Sequence, residues 1–310
     1  MPQPVSGRGV PGLRHWPGTQ SPARSGWPVN ARTVISQDDF AKFREFFYRK
    51  TGIQFEDSKR YFVDKRLVER IEVTGSETFR NYFVNLRFQA SGDELQQLVN
   101  AMTVNETYFF REEYQLKCLV THMLDDLVKR KADRSPIRIW SMPSSSGEEP
   151  YSIALYLLEY WKGIHEWDVE LIASDIDTAI LKRAERGVYS PRSVHNLPAK
   201  LLEEYFNRRS DGDYQISDDL RQSVEFTRVN LMNPADLRGY RDFDVIFCRN
   251  LLIYFDDLSR RQAADTFFDA LKPGGMICLG HSESMSRISS LFNVRKFPDA
   301  IVYQKPLEAR

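Results

Sequence analysis

The sequence predicts an α/β protein: a doubly wound sheet, an all-helical domain ahead of it, and a small antiparallel β insertion within it. Three observations carry this. From Ile137 onward short β-like runs alternate with helical stretches, the pattern of parallel strands joined by crossover helices and covered on both faces. From Thr33 to Leu127 apolar residues recur instead at three- and four-residue spacing, as in Phe40, Phe43, Phe46 and Phe47. Between Tyr205 and Val224 the rhythm breaks at Arg208-Arg209-Ser210-Asp211-Gly212-Asp213, a turn flanked by short β-prone segments.

Residues 1–33 are rich in Pro, Gly, Ser and Arg and hold no Asp or Glu. Such a stretch cannot offset chain entropy by burial and is expected to be a disordered tail. Residues 34–127 are the expected helical domain, continued by Phe62, Leu67 and Ile71 and by Leu95, Leu98 and Met102. Within it Lys59, Arg66 and Arg70 share one helical face, either a solvated face or a docking strip for an acidic partner. Residues 128–310 are the expected sheet domain, with strands at Ile137–Ser141, Val169–Ser174, Val224–Arg228, Phe243–Cys248 and Gly275–Gly280. Helices are expected at Pro150–Tyr160, Thr178–Arg186 and Ser259–Leu271, and the insertion at about 205–228.

Composition narrows the function classes. In 310 residues, 42% hydrophobic and 13% aromatic, there is room for two domains with a substantial core. Formal net charge is +0, so no global field draws the chain to nucleic acid or to an anionic membrane. Cys118, Cys248 and Cys278 are far apart and lack metal-ligand spacing, which suits a reducing cytoplasm. No apolar run is long enough to span a bilayer, and the expected location is cytoplasmic.

The chemistry-bearing residues cluster at the predicted ends of strands, where a doubly wound sheet binds its ligand. The first strand runs into Ser141-Met142-Pro143-Ser144-Ser145-Ser146-Gly147-Glu148-Glu149-Pro150. Its small residues allow close approach of a ligand, and its acidic pair favours a cation over a phosphate. At the end of the second strand Asp175 offers two acceptor oxygens to a pair of ribose hydroxyls, or else caps the following helix. Arg249 and Asn250 follow the strand Phe243–Cys248. Upstream, Asn105, Thr107 and Arg111 alternate with aromatic residues in Asn105-Glu106-Thr107-Tyr108-Phe109-Phe110-Arg111.

Taken together, Asn105–Arg111, Ser146–Ser152, Ala173–Asp177, Phe247–Phe255 and Leu271–Ser284, with its Gly280-His281-Ser282-Glu283, resemble the chemotaxis receptor methyltransferases of the CheR type. The likeness runs from about Ser36 to the C-terminus. It implies a Rossmann-like sheet that binds S-adenosylmethionine, released as S-adenosyl-L-homocysteine after transfer to glutamate side chains on the cytoplasmic part of methyl-accepting receptors. By that resemblance Asn105, Thr107, Arg111, Glu149, Asp175, Asn230, Leu231, Arg249 and Asn250 line the cofactor site. Arg111 and Tyr254 then stand at the transfer centre, and Lys59, Arg66 and Arg70 face the receptor. His281 is expected to have a supporting role, no metal is expected, and the chain is expected to act as a monomer without nucleic acid or membrane insertion. Met142-Pro143 departs from the small residues usual before Gly-Glu-Glu. The alternatives are a cofactor-binding adaptor without turnover and a methyltransferase for another acceptor.

Overall fold

The computed structural model describes residues 34–131 and 134–307, so the expected tail at 1–33 lies outside the described residues. Helix α1 (Gln37–Thr51) starts at a capping box, in which Ser36 and Asp39 each accept the other's backbone N–H. It stops at Gly52, whose φ of 72° is left-handed. Helices α2 (Arg60–Val73), α3 (Phe79–Phe88) and α4 (Asp93–Met102) complete the bundle. The spacing of Phe40, Phe43 and Phe47 puts all three on the face of α1 that meets Val63, Leu67, Ile71, Tyr82 and Leu98. Fully burying one such side chain stabilises the domain by about 1.5–3 kcal/mol.

A linker at 103–112 leads to α5 (Glu113–Cys118), a π-type turn at Leu119–Met123 and α6 (Leu124–Val128). The sheet domain then runs β1 (Ile137–Ser141), α7 (Glu148–Tyr160), β2 (Val169–Asp175), α8 (Thr178–Arg186), β3 (Val188–Tyr189), α9 (Ala199–Tyr205), β4 (Phe206–Arg208) and β5 (Tyr214–Ile216). It continues with α10 (Asp218–Gln222), β6 (Glu225–Arg228), β7 (Phe243–Cys248), α11 (Asp257–Ala270), β8 (Leu271–Leu279), β9 (Asn293–Lys296) and β10 (Ile301–Gln304). The large sheet has the order β6-β2-β1-β7-β8-β10-β9. Its strands are parallel from β6 to β8, whereas β10 is antiparallel to both its neighbours. Strand order reverses between β1 and β7, where Ser141 pairs with both Ala173 and Phe247, and the carboxyl ends there open into a crevice.

The α/β class is as the sequence predicts, with three differences of detail. The hairpin β9–β10 was not anticipated, because β9 is an outer edge whose side chains are mostly exposed and so carries no apolar alternation. The small sheet has the order β3-β5-β4 and recruits the two-residue β3, too short to show a pattern. Glu225–Arg228, counted above within the insertion, pairs in parallel with Ile172–Asp175 at the edge of the large sheet. No helix among the described residues is long and apolar enough to cross a membrane.

Candidate functional site

A cavity of about 430 Å³ opens at the switch in strand order, within the size range of small-molecule sites. One wall is the sheet, represented by Met142, Ser145, Glu149, Asp175, Arg249 and Asn250. The other is the helical domain and the linker, which contribute Phe55, Lys59, Asn105, Thr107 and Arg111, while Tyr254 stands at the rim. The Met142-Pro143 bond on the sheet side is cis. Phe110, Glu112, Ser145 and Asn250 all have positive φ in or beside this wall, a concentration of left-handed backbone that suits a ligand site.

On the sheet wall, Asp175 is 3% exposed. Its two carboxylate oxygens accept the backbone N–H of Ser145 at 2.8 Å and of Asp177 at 3.0 Å. Burial pushes its carboxyl up to about 6, against those hydrogen bonds. The cap of α8 belongs instead to Asp177, whose Oδ1 accepts from Ala179 and Ile180, so the capping alternative for Asp175 falls away. Arg249, buried, lies 3.3 Å from Glu149 and donates to the Arg111 carbonyl. Glu149 also accepts from Ser141 Oγ at 2.8 Å; burial raises its carboxyl while Arg249 opposes the rise. Two polar atoms of cavity-lining residues, Ser145 Oγ and Arg249 Nε, are buried without a hydrogen-bond partner. The Arg249 Nε faces Glu112 at 3.8 Å, so Ser145 Oγ is the unused capacity of the kind a bound polar molecule would take up.

Across the cavity, Arg111 donates to the Glu106 carbonyl at 3.0 Å, and its guanidinium lies 5.9 Å from the centre of the Tyr108 ring. Tyr254 ends a short 3₁₀ turn, Leu252–Tyr254, and is 39% exposed. Burial, then the charge of Glu106, raises its phenol against the pull of Arg111, so it remains a donor at neutral pH. Asn105 lines the cavity but spends its amide on Asp177 at 2.9 Å, and Thr107 is half-buried. The helical domain is held to the sheet's rim by bonds from Asn100 to Thr178 (3.0 Å), Gln96 to the Ile176 carbonyl (2.9 Å) and Tyr48 to Asp256 (2.9 Å). The Gln54 N–H adds a bond to the Tyr254 carbonyl at 3.2 Å.

Four expected residues are not among those lining the cavity. Asn230 donates to the Lys50 carbonyl at 2.7 Å and accepts from the Met232 N–H, tying α1 to the sheet. Leu231 is buried in the apolar cluster around Trp140 and Phe267. Arg66 donates to the Ala101 carbonyl and lies over the Phe62 ring at 3.5 Å. Arg70 clasps Glu94 with two hydrogen bonds, 3.0 and 2.5 Å, and Tyr82 donates to the same carboxylate. Of the basic trio, then, Lys59 alone reaches the cavity, and the other two are engaged inside the helical domain. Two residues given no binding role above bear on the site. Glu283 accepts the N–H groups of Asn250, Leu252 and Gly280 and so shapes the loop after β7. Glu112 contacts both Arg249 and His281. Both lay within or next to the quoted motifs, but only the fold shows what they touch.

The sequence is similar to known proteins over most of its length. Residues 105–301 match the family model described as CheR methyltransferase, SAM binding domain, and residues 38–103 match CheR methyltransferase, all-alpha domain. The chain is 60% identical to chemotaxis protein methyltransferase 2 of Vibrio cholerae, over 88% of this chain and 94% of that one. It is 38% identical to chemotaxis protein methyltransferase 2 of Pseudomonas aeruginosa, over 84% and 92%. With the chemotaxis protein methyltransferase of Escherichia coli the identity is 34%, over 86% and 91%.

Proposed function

We propose a division of labour between the two cavity walls from the premise that this chain belongs to the CheR methyltransferase family. It is an S-adenosylmethionine-dependent methyltransferase that acts on chemotaxis receptors. The residues of the sheet wall fit that cofactor: a strand-end carboxylate for ribose hydroxyls, acidic groups for a cation, and the unpartnered Ser145 hydroxyl for its polar parts. When bound, it supplies a methyl group already activated by its positive sulfur. Asp175 is assigned to the ribose, and Glu149, Arg249 and Asn250 to the amino-acid end and its surroundings. Asn105 and Thr107 close the site from the linker, while Asn230 and Leu231 act from behind the wall by holding its shape.

The acceptor we assign is a glutamate on the cytoplasmic part of a receptor. Its reference pKa of about 4.3 leaves it ionised at neutral pH, so no residue of this chain has to remove a proton. What remains is to bring the carboxylate in at the right angle, and well-oriented approach alone is worth about 7–11 kcal/mol. Arg111 offers a planar cation and Tyr254 a neutral hydroxyl on the open side of the cavity, and both are assigned to that carboxylate. Lys59 stands at the mouth as a steering charge. Arg66 and Arg70 support the helical domain that carries it, which narrows the docking role expected of the trio.

The observation that carries this reading is Asp175 at the end of β2, buried against the cavity and relieved of capping α8. Incubating the protein with isotopically labelled cofactor and receptor cytoplasmic fragments, then mapping methyl esters by mass, tests it. Label on receptor glutamates is the expected result. Cofactor binding without transfer would favour an adaptor, and label on another class of molecule would move the acceptor assignment.

A further inference from the structure

A carboxylate outside the cavity completes the charge arrangement within it. Glu112 follows Arg111 directly, at a φ of 51°, and its side chain is 11% exposed. Its Oε1 lies 3.0 Å from Nδ1 of His281. Its Oε2 lies 3.8 Å from Arg249 Nε and accepts from Tyr114 Oη at 3.3 Å and Gln115 Nε2 at 3.4 Å. Arg249 continues the chain of contacts to Glu149 in the cavity wall. At one end His281 is 70% exposed, and at the other Arg249 is 2% exposed, so the sequence of contacts runs from solvent to the ligand site.

The charge balance is the point. A guanidinium facing Glu149 alone would cancel it, and Asp175 would be the carboxylate left over on that wall. With Glu112 on its other side the same guanidinium serves two carboxylates, and one more negative charge is left over in a weakly screened place. We propose that Glu112 is a positioning residue that holds Arg249 between two carboxylates and makes the cavity wall more negative by one charge. That charge raises affinity for S-adenosylmethionine, with its cationic sulfur, relative to S-adenosylhomocysteine, which lacks that charge. The inference rests on the cofactor site proposed above. Burial pushes the Glu112 carboxyl up, but the His281 contact and the Arg249 charge outweigh it and hold it below the usual range, so its charge is present at neutral pH.

Calorimetric dissociation constants for both molecules, measured on the full-length protein at about pH 8, above the usual histidine range, test this. Glu112→Gln keeps the shape and removes the charge. It is expected to shift the ratio of the two constants toward the homocysteine product by about threefold to tenfold. Glu112→Asp, which keeps the charge, is expected to restore part of that shift. His281→Lys sets a permanent cation against Glu112 at an exposed position where folding is not at risk, and is expected to shift the ratio the same way by a smaller factor. A ratio unchanged in both Glu112→Gln and His281→Lys, or an equal loss of affinity for both molecules, overturns the proposal. Failure of the unaltered protein to bind either molecule refutes instead the cofactor site on which it rests.

Discussion

The two walls of the cavity are built on opposite principles. On the sheet side Asp175, Glu149 and Arg249 are buried charges, fixed by backbone N–H groups, by a serine and by each other. Burying charge is expensive, and the displaced carboxyl of Asp175 marks the cost. On the opposite side Lys59 is exposed, as are Val104 and Tyr108 around the mouth. A wall that spends stability on fixed charge suits a small molecule that is always the same. A wall that leaves a cation and apolar groups in water suits a polypeptide that arrives and leaves.

The widest gap between the walls is expected at Asp175. With Asp175 assigned to the ribose, Asp175→Ala is expected to weaken cofactor binding by about 30- to 300-fold, read by calorimetry. Asp175→Asn tests the stability side of the same residue. A carboxyl held near 6 rather than at its ordinary 3.8 destabilises the fold fully above about pH 6 and not at all well below 3.8. At about 1.4 kcal/mol per pH unit of displacement, the stability difference should move in favour of the asparagine protein by about 3 kcal/mol between low pH and about pH 7.5 without cofactor, on top of a constant loss because its amide nitrogen cannot accept one of the two backbone N–H bonds. Denaturant unfolding at two pH values decides this, and a constant difference would remove the burial argument. As pH falls through about 6, cofactor affinity of the unaltered protein should also fall if Asp175 has the role assigned to it, because protonation neutralises its carboxylate.

The rim comes next. Tyr254→Phe is expected to lower turnover on receptor by about 10- to 100-fold with cofactor affinity nearly unchanged, and normal receptor methylation would take Tyr254 out of the mechanism. Lys59→Glu is expected to raise the receptor KM by about fivefold, less at high salt, again without a change in cofactor affinity. Smallest in activity is Arg70→Ala. It should cost about 2 kcal/mol of stability through loss of the Glu94 clasp, seen as a lower Tm, and leave the receptor KM within about twofold. A larger KM effect would return Arg70 to the docking surface and blur the contrast between the walls.

The sequence was most legible where chemistry and periodicity coincide. Five parallel strands and the helices Thr178–Arg186 and Pro150–Tyr160 follow from apolar runs between turns, and Asp175 and Arg249 stand out because polar residues end those runs, whereas Glu149 was singled out by the resemblance. The outer hairpin was not legible because an exposed edge strand has no buried face to set a period. The fate of Arg66 and Arg70 was not legible either: their partners, Ala101 and Glu94, lie more than a turn of helix away in a separate element. For Glu112 and Glu283 the residues were visible but their contacts, 169 and 33 positions away in sequence to His281 and Asn250, exist only in the folded chain.

The linker at 103–112 is at once the covalent tie between the two domains and part of the lining of the cavity. Anything lodged there touches both halves, and at about a hundredfold excess over its dissociation constant it adds about 2.7 kcal/mol to the stability of the folded chain. A molecule that touches both walls therefore ties the stability of the helical domain to its own concentration, and limited proteolysis with and without cofactor is expected to show slower cleavage at 103–112 when it is bound.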